Sequence, residues 1–286
     1  MSFDLYLFPP DQAAFDQAAF AALFAGRTHY VLAPGEALYR DMHTGVYFSF
    51  EHVVPDAQEI GEEGEPDPRF DAPYIFFAVH LMRSHVFALE AAAELAALTD
   101  AAGLTLYDPQ SGLDAQRFDA AAFVAGWRHA SEGAKLAMAG RPETLRSLPA
   151  AANEEIWRWN LGREALREEV EPGVSVPLLQ YISGPNDAVR RVFVWLLNGQ
   201  TLVPDGAEWA LLVDDRASPG LLARLRGKAK GAQMQGVVPI AALAPLIRRE
   251  GGYRRLDPAT PAQAADLLRQ AEPPGERLAA DAVLDA

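Results

Sequence analysis

The fold of the N-terminal half is decided by the stretch Val46-Tyr47-Phe48-Ser49-Phe50-Glu51. Apolar residues occupy every second position of this stretch, and a period of two is that of a half-buried β-strand. One face takes Val46, Phe48 and Phe50, and the other takes Tyr47, Ser49 and Glu51. The later stretch Tyr74–Leu81 is rich in apolar residues and predicts a central strand.

Around these two stretches the first half alternates between strands and helices. Phe3–Leu7 shows the same alternation and predicts another strand. Asp11 and Ser84 are suitable N-caps for two helices. The helix that begins at Ser84 is predicted to reach about Ala102. The strand Leu104–Tyr107 follows that helix. This order predicts an α+β fold that begins with a split-βαβ-like sheet with helices on one face. A smaller mixed α/β C-terminal region is expected to follow it.

Composition and turn signals divide the chain into three parts. Residues 1–150 are expected to form an acidic α+β domain, and residues 151–272 a mixed helix and β-hairpin domain. The hairpin is predicted at Asn198-Gly199, because Asn-Gly between two apolar runs favours a two-residue turn. Residues 273–286 are expected to be a disordered tail.

The charge of the chain is concentrated in its first half. The 286 residues include 25 basic and 39 acidic ones, which gives a net charge of −14. Residues 1–150 hold 9 basic and 21 acidic residues, net −12, whereas residues 151–286 hold 16 and 18, net −2. Such a charge disfavours nucleic acid and anionic membranes and attracts a basic protein. The common alternative is that it serves solubility alone.

The composition also indicates the compartment. Hydrophobic residues make up 50% of the chain, enough for a large core, and cysteine is absent, which excludes disulfides and cysteine nucleophiles. The first apolar run ends at Pro9-Pro10 and is too short for a signal peptide. No run approaches the roughly 20 apolar residues of a membrane-spanning helix. We therefore expect a cytoplasmic protein.

The sequence contains no recognisable catalytic motif. GxSxG, Walker, GxGxxG and HExxH patterns are all absent. Five residues could in principle gather around a metal ion. They are Asp41, His43, His52, His80 and His85. The sequence favours a protein without cofactor or metal, and a hydrolase or metal-dependent enzyme with a site built from distant residues is the alternative.

Two further features of the sequence are a pair of tryptophans and a cluster of basic residues. Trp157 and Trp159 lie about 200° apart on a helix, so one is expected in the core and the other exposed or under a second domain. Basic residues cluster in the C-terminal third and are expected to pair with the acidic N-terminal half, within the chain or across a dimer. They are Arg224, Arg226, Lys228, Lys230, Arg248, Arg249, Arg254 and Arg255.

Five segments, taken in order, resemble a poorly characterised proteobacterial protein family. They are Ser2–Phe8, Thr44–Phe50, Ser84–Ala92, Leu106–Gln110 and Ile156–Asn160. The resemblance covers about the first 170 residues. Some members of this family are similar to immunity proteins, which bind and neutralise a cognate antibacterial effector. The resemblance implies protein binding and supplies no catalytic residues.

Taken together, these patterns predict an immunity protein that binds a toxin through an acidic surface. The candidate binding residues are Glu59, Glu62, Glu63, Glu65, Asp67, Tyr47 and Glu51. A regulatory or scaffold protein that responds to a small ligand is a further alternative. The oligomeric state is left open.

Overall fold

The computed structural model describes residues 1–55, 68–110, 113–138, 146–214 and 235–286. The chain divides into two compact units. The first comprises residues 1–144 together with Asp285, and the second comprises residues 145–284 together with Ala286. None of the helices within the described ranges is long and apolar enough to cross a membrane.

The first unit is built on a seven-stranded sheet. Its strands are β1 (Ser2–Phe8), β2 (Tyr30–Ala33), β3 (Glu36–Arg40), β4 (Tyr47–Val53), β5 (Tyr74–His80), β6 (Thr105–Asp108) and β7 (Leu113–Gln116). They lie in the order β2-β3-β4-β5-β1-β6-β7, and all neighbours are antiparallel. A split βαβ unit has a parallel central pair. The topology differs because the meander β2–β5 returns its last strand beside β1 in the opposite direction.

Three helices pack on one face of this sheet. They are α1 (Gln17–Phe24), α2 (Val86–Ala102) and α3 (Ala120–Met138). The ring centroids of Phe24 and Phe50 lie 5.1 Å apart, and those of Phe77 and Phe123 lie 6.1 Å apart. Phe50 and Phe77 are fully buried. The α+β class, with helices on one face of the N-terminal sheet, is therefore confirmed. Asp16, rather than Asp11, caps the first helix by accepting from the backbone N–H of Ala19.

In its described residues, the second unit combines two larger sheets with three helices. Its helices are α4 (Ala150–Glu169), α5 (Ile240–Leu243) and α6 (Pro261–Gln270). Its strands are β8 (Arg146–Leu148), β9 (Val174–Ser175), β10 (Leu179–Ser183), β11 (Val189–Leu196), β12 (Gln200–Leu202), β13 (Trp209–Val213), β14 (Gly236–Pro239), β15 (Ile247–Glu250), β16 (Tyr253–Leu256), β17 (Arg277–Leu278) and β18 (Val283–Asp285). The sheets run β14-β13-β11-β10-β17 and β15-β16-β12-β9, and β8 pairs with β18.

The predicted Asn198-Gly199 hairpin is wrong. The chain does turn there, because the N–H of Gly199 donates to the Leu196 carbonyl over 2.8 Å. The strand after the turn, β12, pairs with β16 and β9 instead of returning along β11. The indole of Trp195 donates to the Gly199 carbonyl, so the turn is stabilised by a side chain rather than by a strand pair.

The predicted disordered tail is also wrong. Residues 273–286 contain β17, which pairs with β10, and β18, which pairs with β8. Leu278, Val283 and Leu284 are buried in the structure. Burial of these apolar side chains offsets the entropy lost when the segment becomes ordered.

Candidate functional site

Two of the seven candidate binding residues lie on β4, in the first unit. Tyr47 begins the strand and Glu51 lies near its end. The other five belong to the acidic segment and lie outside the described residues. They are Glu59, Glu62, Glu63, Glu65 and Asp67.

The predicted alternation of β4 sets the direction of its side chains. Phe48 and Phe50 are buried beneath the helices, whereas Ser49 is half-buried and Glu51 is exposed. In the antiparallel register Glu51 lies opposite Glu36 of β3. Residues directly opposite each other on neighbouring strands project to the same face. Glu36 and Glu51 therefore lie side by side on the face that the three helices leave open.

Apolar side chains lie beside these two carboxylates. Val31 of β2 is opposite Leu38 of β3, and Leu38 is opposite Ser49 of β4. Val31 is 63% exposed and Leu38 is 41% exposed. We call the group formed by Val31, Glu36, Leu38, Ser49 and Glu51 the acidic-rimmed patch. Its centre is apolar and one side of it carries two negative charges.

The two glutamates of the acidic-rimmed patch form a like-charge pair. Their β-carbons are expected about 5 Å apart, and two equal charges at that position destabilise a sheet by a few tenths of a kcal/mol or more. Among the described residues no cation lies within ion-pair distance of Glu36 or Glu51. Arg40 is exposed on the same face, beyond Leu38 and away from Glu36. Both carboxylates are exposed in the described part of the structure.

Tyr47 differs from Glu51 because its contacts are within the unit. Its hydroxyl accepts a hydrogen bond from the guanidinium of Arg83 over 3.1 Å. Its ring packs edge-on against His80 and Phe87, with centroids 5.6 Å away in both cases. Tyr47 therefore helps to hold the start of β4, and Glu51 is the more accessible of the two predicted residues.

A buried polar network supports the acidic-rimmed patch from below. Tyr39, on the inner face of β3, donates to Glu90 of α2 over 2.8 Å, and the Thr44 hydroxyl donates to the same oxygen over 3.1 Å. Burial, and then the charge of Glu90, raises the pKa of Tyr39 well above its usual value. Tyr30 donates to Glu94 one turn further along α2, and its pKa is raised chiefly by burial as well. These bonds attach the β2–β3 hairpin to α2.

Another part of the open face is a cluster of aromatic side chains that pack on one another. Tyr6 contacts Phe70 and Tyr107, with ring centroids 5.0 and 6.1 Å apart, and the Arg69 guanidinium lies 4.4 Å above the ring of Tyr107. Phe76 completes the group 5.6 Å from Tyr6. These rings are half-buried, so the more exposed apolar side chains of this face are those of the acidic-rimmed patch.

The histidines considered for a metal site have separate surroundings. His85 is 1% exposed, and its Nδ1 lies 3.0 Å from Asp285, which belongs to the first unit. The Nε2 of His52 lies 3.3 Å from the Phe15 carbonyl. In the described part of the chain, no three or more His, Asp or Glu side chains are placed to hold a metal ion.

Three of the four described members of the basic cluster, Arg248, Arg254 and Arg255, form ion pairs within the second unit. Arg248 contacts Asp257 at 3.0 Å, and Arg255 contacts Glu171 and Glu250. These carboxylates lie nearby in the sequence or in the same sheet region, so the predicted pairing with the acidic half is not seen for these arginines. The members at positions 224, 226, 228 and 230 lie outside the described residues.

Comparisons of the chain with family models, with curated proteins and with solved structures each find no match.

Sequence reasoning found Glu51 but missed its neighbours in the acidic-rimmed patch. The stretch Glu36–Arg40 alternates in the same way as β4, with Ala37 and Tyr39 buried and Leu38 outward. Leu38, an apolar residue at an outward position of a strand, is the feature of the sequence that indicates this exposed surface. The opposition of Glu36 and Glu51 required the register, which a local pattern does not contain.

Proposed function

We propose that this chain is a protein-binding module that neutralises a basic partner, most concretely an immunity protein for a bacterial toxin. The acidic-rimmed patch is the docking surface in this proposal. The observation that carries it is the placement of Glu36 and Glu51, which form no ion pair with any described residue, beside the exposed side chains of Val31 and Leu38. The order of the five family-like segments supports the same function.

The make-up of the acidic-rimmed patch is that of a protein interface. Interfaces between proteins have an apolar centre, which supplies much of the affinity, and a polar rim, which sets orientation. Val31 and Leu38 would supply the centre, and Glu36 and Glu51 one side of the rim. A flat strand surface suits a macromolecule, whereas small ligands are held in concave sites.

The negative charge of the acidic-rimmed patch and of residues 1–150 supports a basic protein as the partner. A cation of the partner placed between Glu36 and Glu51 would replace their mutual repulsion by two attractions. The net charge of −12 over residues 1–150 would speed the encounter at low ionic strength. The same charge disfavours nucleic acid as the ligand.

The first experiment is co-purification with the product of the neighbouring gene, combined with expression of that product in cells. We expect a stable complex, and we expect the chain to protect the cells. A neighbouring product that neither binds nor harms cells in the absence of this chain contradicts the proposal.

The second experiment tests the surface. Reversing both charges, as Glu36→Lys with Glu51→Lys, keeps a like-charge pair in the sheet, so the fold should be as stable as before. We expect affinity for the partner to fall by about tenfold or more, mostly through slower association. The effect should shrink in high salt.

A matched control changes the net charge equally elsewhere. Asp100 and Glu168 are both exposed, and neither has an ion pair in the described structure. Asp100→Lys with Glu168→Lys should leave affinity within about twofold of the unaltered protein. Equal losses in the two double variants would show that only total charge matters and would remove the acidic-rimmed patch from the proposal.

A further inference from the structure

A second like-charge pair lies in the hairpin of β15 and β16, in the second unit. The strands are joined by Gly251-Gly252, whose φ angles of 57° and 87° are those of a tight hairpin turn. In their antiparallel register Arg248 lies opposite Arg255, and Arg249 lies opposite Arg254. Adjacent residues of a strand point to opposite faces, so the two arginine pairs lie on different faces of the hairpin.

The pair Arg248–Arg255 is neutralised by the protein itself. Arg248 lies 3.0 Å from Asp257, and Arg255 lies 3.4 Å from Glu171 and 3.1 Å from Glu250. Two cations on this face therefore meet three carboxylates. Their repulsion is compensated within the unit.

The pair Arg249–Arg254 is not neutralised to the same extent. Arg254 donates to the Pro204 carbonyl over 2.6 Å, and its nearest carboxylate, Asp205, is 3.4 Å away and 93% exposed. An ion pair with so exposed a carboxylate is weak. Arg249 is exposed and makes no ion pair with any described residue. This face has an excess of positive charge.

The same two arginines line a cavity of about 430 Å³. Its lining also includes Trp159, Leu202, Val203 and Tyr253, together with Asp205, the carboxylate that lies 3.4 Å from Arg254. Trp159 is fixed in place, because its indole N–H donates to the Pro177 carbonyl over 2.8 Å. The cavity thus joins Trp159 and apolar residues to two guanidinium groups, against which it sets a single, highly exposed carboxylate. A volume of this size is within the range of small-molecule sites.

We propose that this cavity binds a small organic anion with a flat apolar body, held by its carboxylate or another acidic group. The acidic group would lie between Arg249 and Arg254, where it relieves their repulsion and can accept charge-assisted hydrogen bonds. The apolar body would pack against Trp159 and Leu202. This binding site is independent of the acidic-rimmed patch, because no residue is shared.

The test is a titration of the full chain with benzoate, followed by nuclear magnetic resonance. Benzamide is the neutral probe of the same shape, and inorganic phosphate is the anion without an apolar body. We expect benzoate to bind and both other probes to bind at least about tenfold more weakly. Equal binding of benzamide would show an apolar cavity without anion recognition, and equal binding of phosphate would show a simple anion site. Either result overturns the proposal, and so does the absence of benzoate binding.

Two matched variants test whether benzoate binds in this cavity. Arg249→Ala removes a cation from the cavity, and Arg248→Ala removes the neighbouring cation from the other face. Both residues are exposed, so both variants should fold. We expect the dissociation constant for benzoate to rise about tenfold in Arg249→Ala and less than about twofold in Arg248→Ala. Equal effects would mean that binding follows the overall charge, which contradicts the proposed site.

Discussion

The pairs Glu36–Glu51 and Arg249–Arg254 break the same rule of sheet pairing in different surroundings. Both place like charges opposite each other on antiparallel strands. The glutamates lie on an open sheet face beside exposed Val31 and Leu38, whereas the arginines line a cavity with Trp159. The two pairs differ both in the sign of their charge and in the shape of the surface around them. An open apolar surface with negative charge suits a basic protein, and a concave aromatic site with positive charge suits a small anion.

The kind of ligand that a like-charge pair can bind therefore depends on the side chains around the pair. Arg248 and Arg255 are also opposed like charges, yet nearby carboxylates neutralise them. Where the described residues compensate a like-charge pair only weakly or not at all, a ligand can supply the counter-charge.

The largest expected effect comes from the support beneath the glutamate pair. In Tyr39→Phe, Glu90 loses one of its hydrogen-bond donors in a site where it is only 4% exposed. We expect the free energy of unfolding to fall by about 1–3 kcal/mol, measured by urea titration. Tyr30→Phe is the control. Because Glu94 is 27% exposed, water can replace the hydrogen bond that this variant loses. Its free energy of unfolding should therefore fall by less than that of Tyr39→Phe. A Tyr39→Phe protein as stable as the unaltered one would contradict the supporting role.

Alkaline pH should reduce the difference in the free energy of unfolding between the unaltered protein and Tyr39→Phe. Burial and Glu90 raise the pKa of Tyr39 in the folded protein, while in the unfolded chain it titrates near its usual value of about 10. The stabilisation is therefore complete below pH 10 and is lost as the pH rises, because only the unfolded chain ionises. The advantage over Tyr39→Phe should shrink by about 1.4 kcal/mol per pH unit above 10. An unchanged difference between pH 9 and pH 11 would contradict a raised pKa.

Arg249→Glu should stabilise the second unit in the absence of ligand. The substitution places a carboxylate opposite Arg254, which replaces repulsion by attraction and should add about 0.5–1 kcal/mol to the free energy of unfolding. Arg248→Glu is the control, because Arg248 already pairs with Asp257 and its reversal gives no such gain. A gain of the same size in both variants would show that the two faces do not differ.

The smallest effect is expected at the open face. Glu51→Lys places a cation opposite Glu36 and should stabilise the first unit by about 0.2–0.5 kcal/mol in low salt. Solvent screens this exposed pair, so the gain should disappear near 1 M salt, where the Debye length is about 3 Å. Thermal unfolding of Glu51→Lys and Glu51→Gln at both salt concentrations would measure it. A gain that persists in high salt would point to packing rather than charge.

Turns show where sequence reasoning succeeds and fails. Asn198-Gly199 has the stronger hairpin pattern, yet the following strand joins another sheet. Gly251-Gly252 makes the tight hairpin, between β15 and β16. A turn sequence permits a reversal of the chain, but the sheet that accepts the next strand is chosen by packing of the whole unit.

Features that depend on residues close together along the chain follow directly from the amino-acid sequence. The alternation of β4 placed Glu51 outward, and the composition located the acidic charge in the first half, because both are properties of the chain before it folds. Only the tertiary structure decided what stands beside each charge. Glu36 meets Glu51 through a strand register, and Trp159 meets Arg249 across about 90 residues of chain. Such contacts arise from burial of the core, whose energy is summed over the whole unit and is not written in any local pattern.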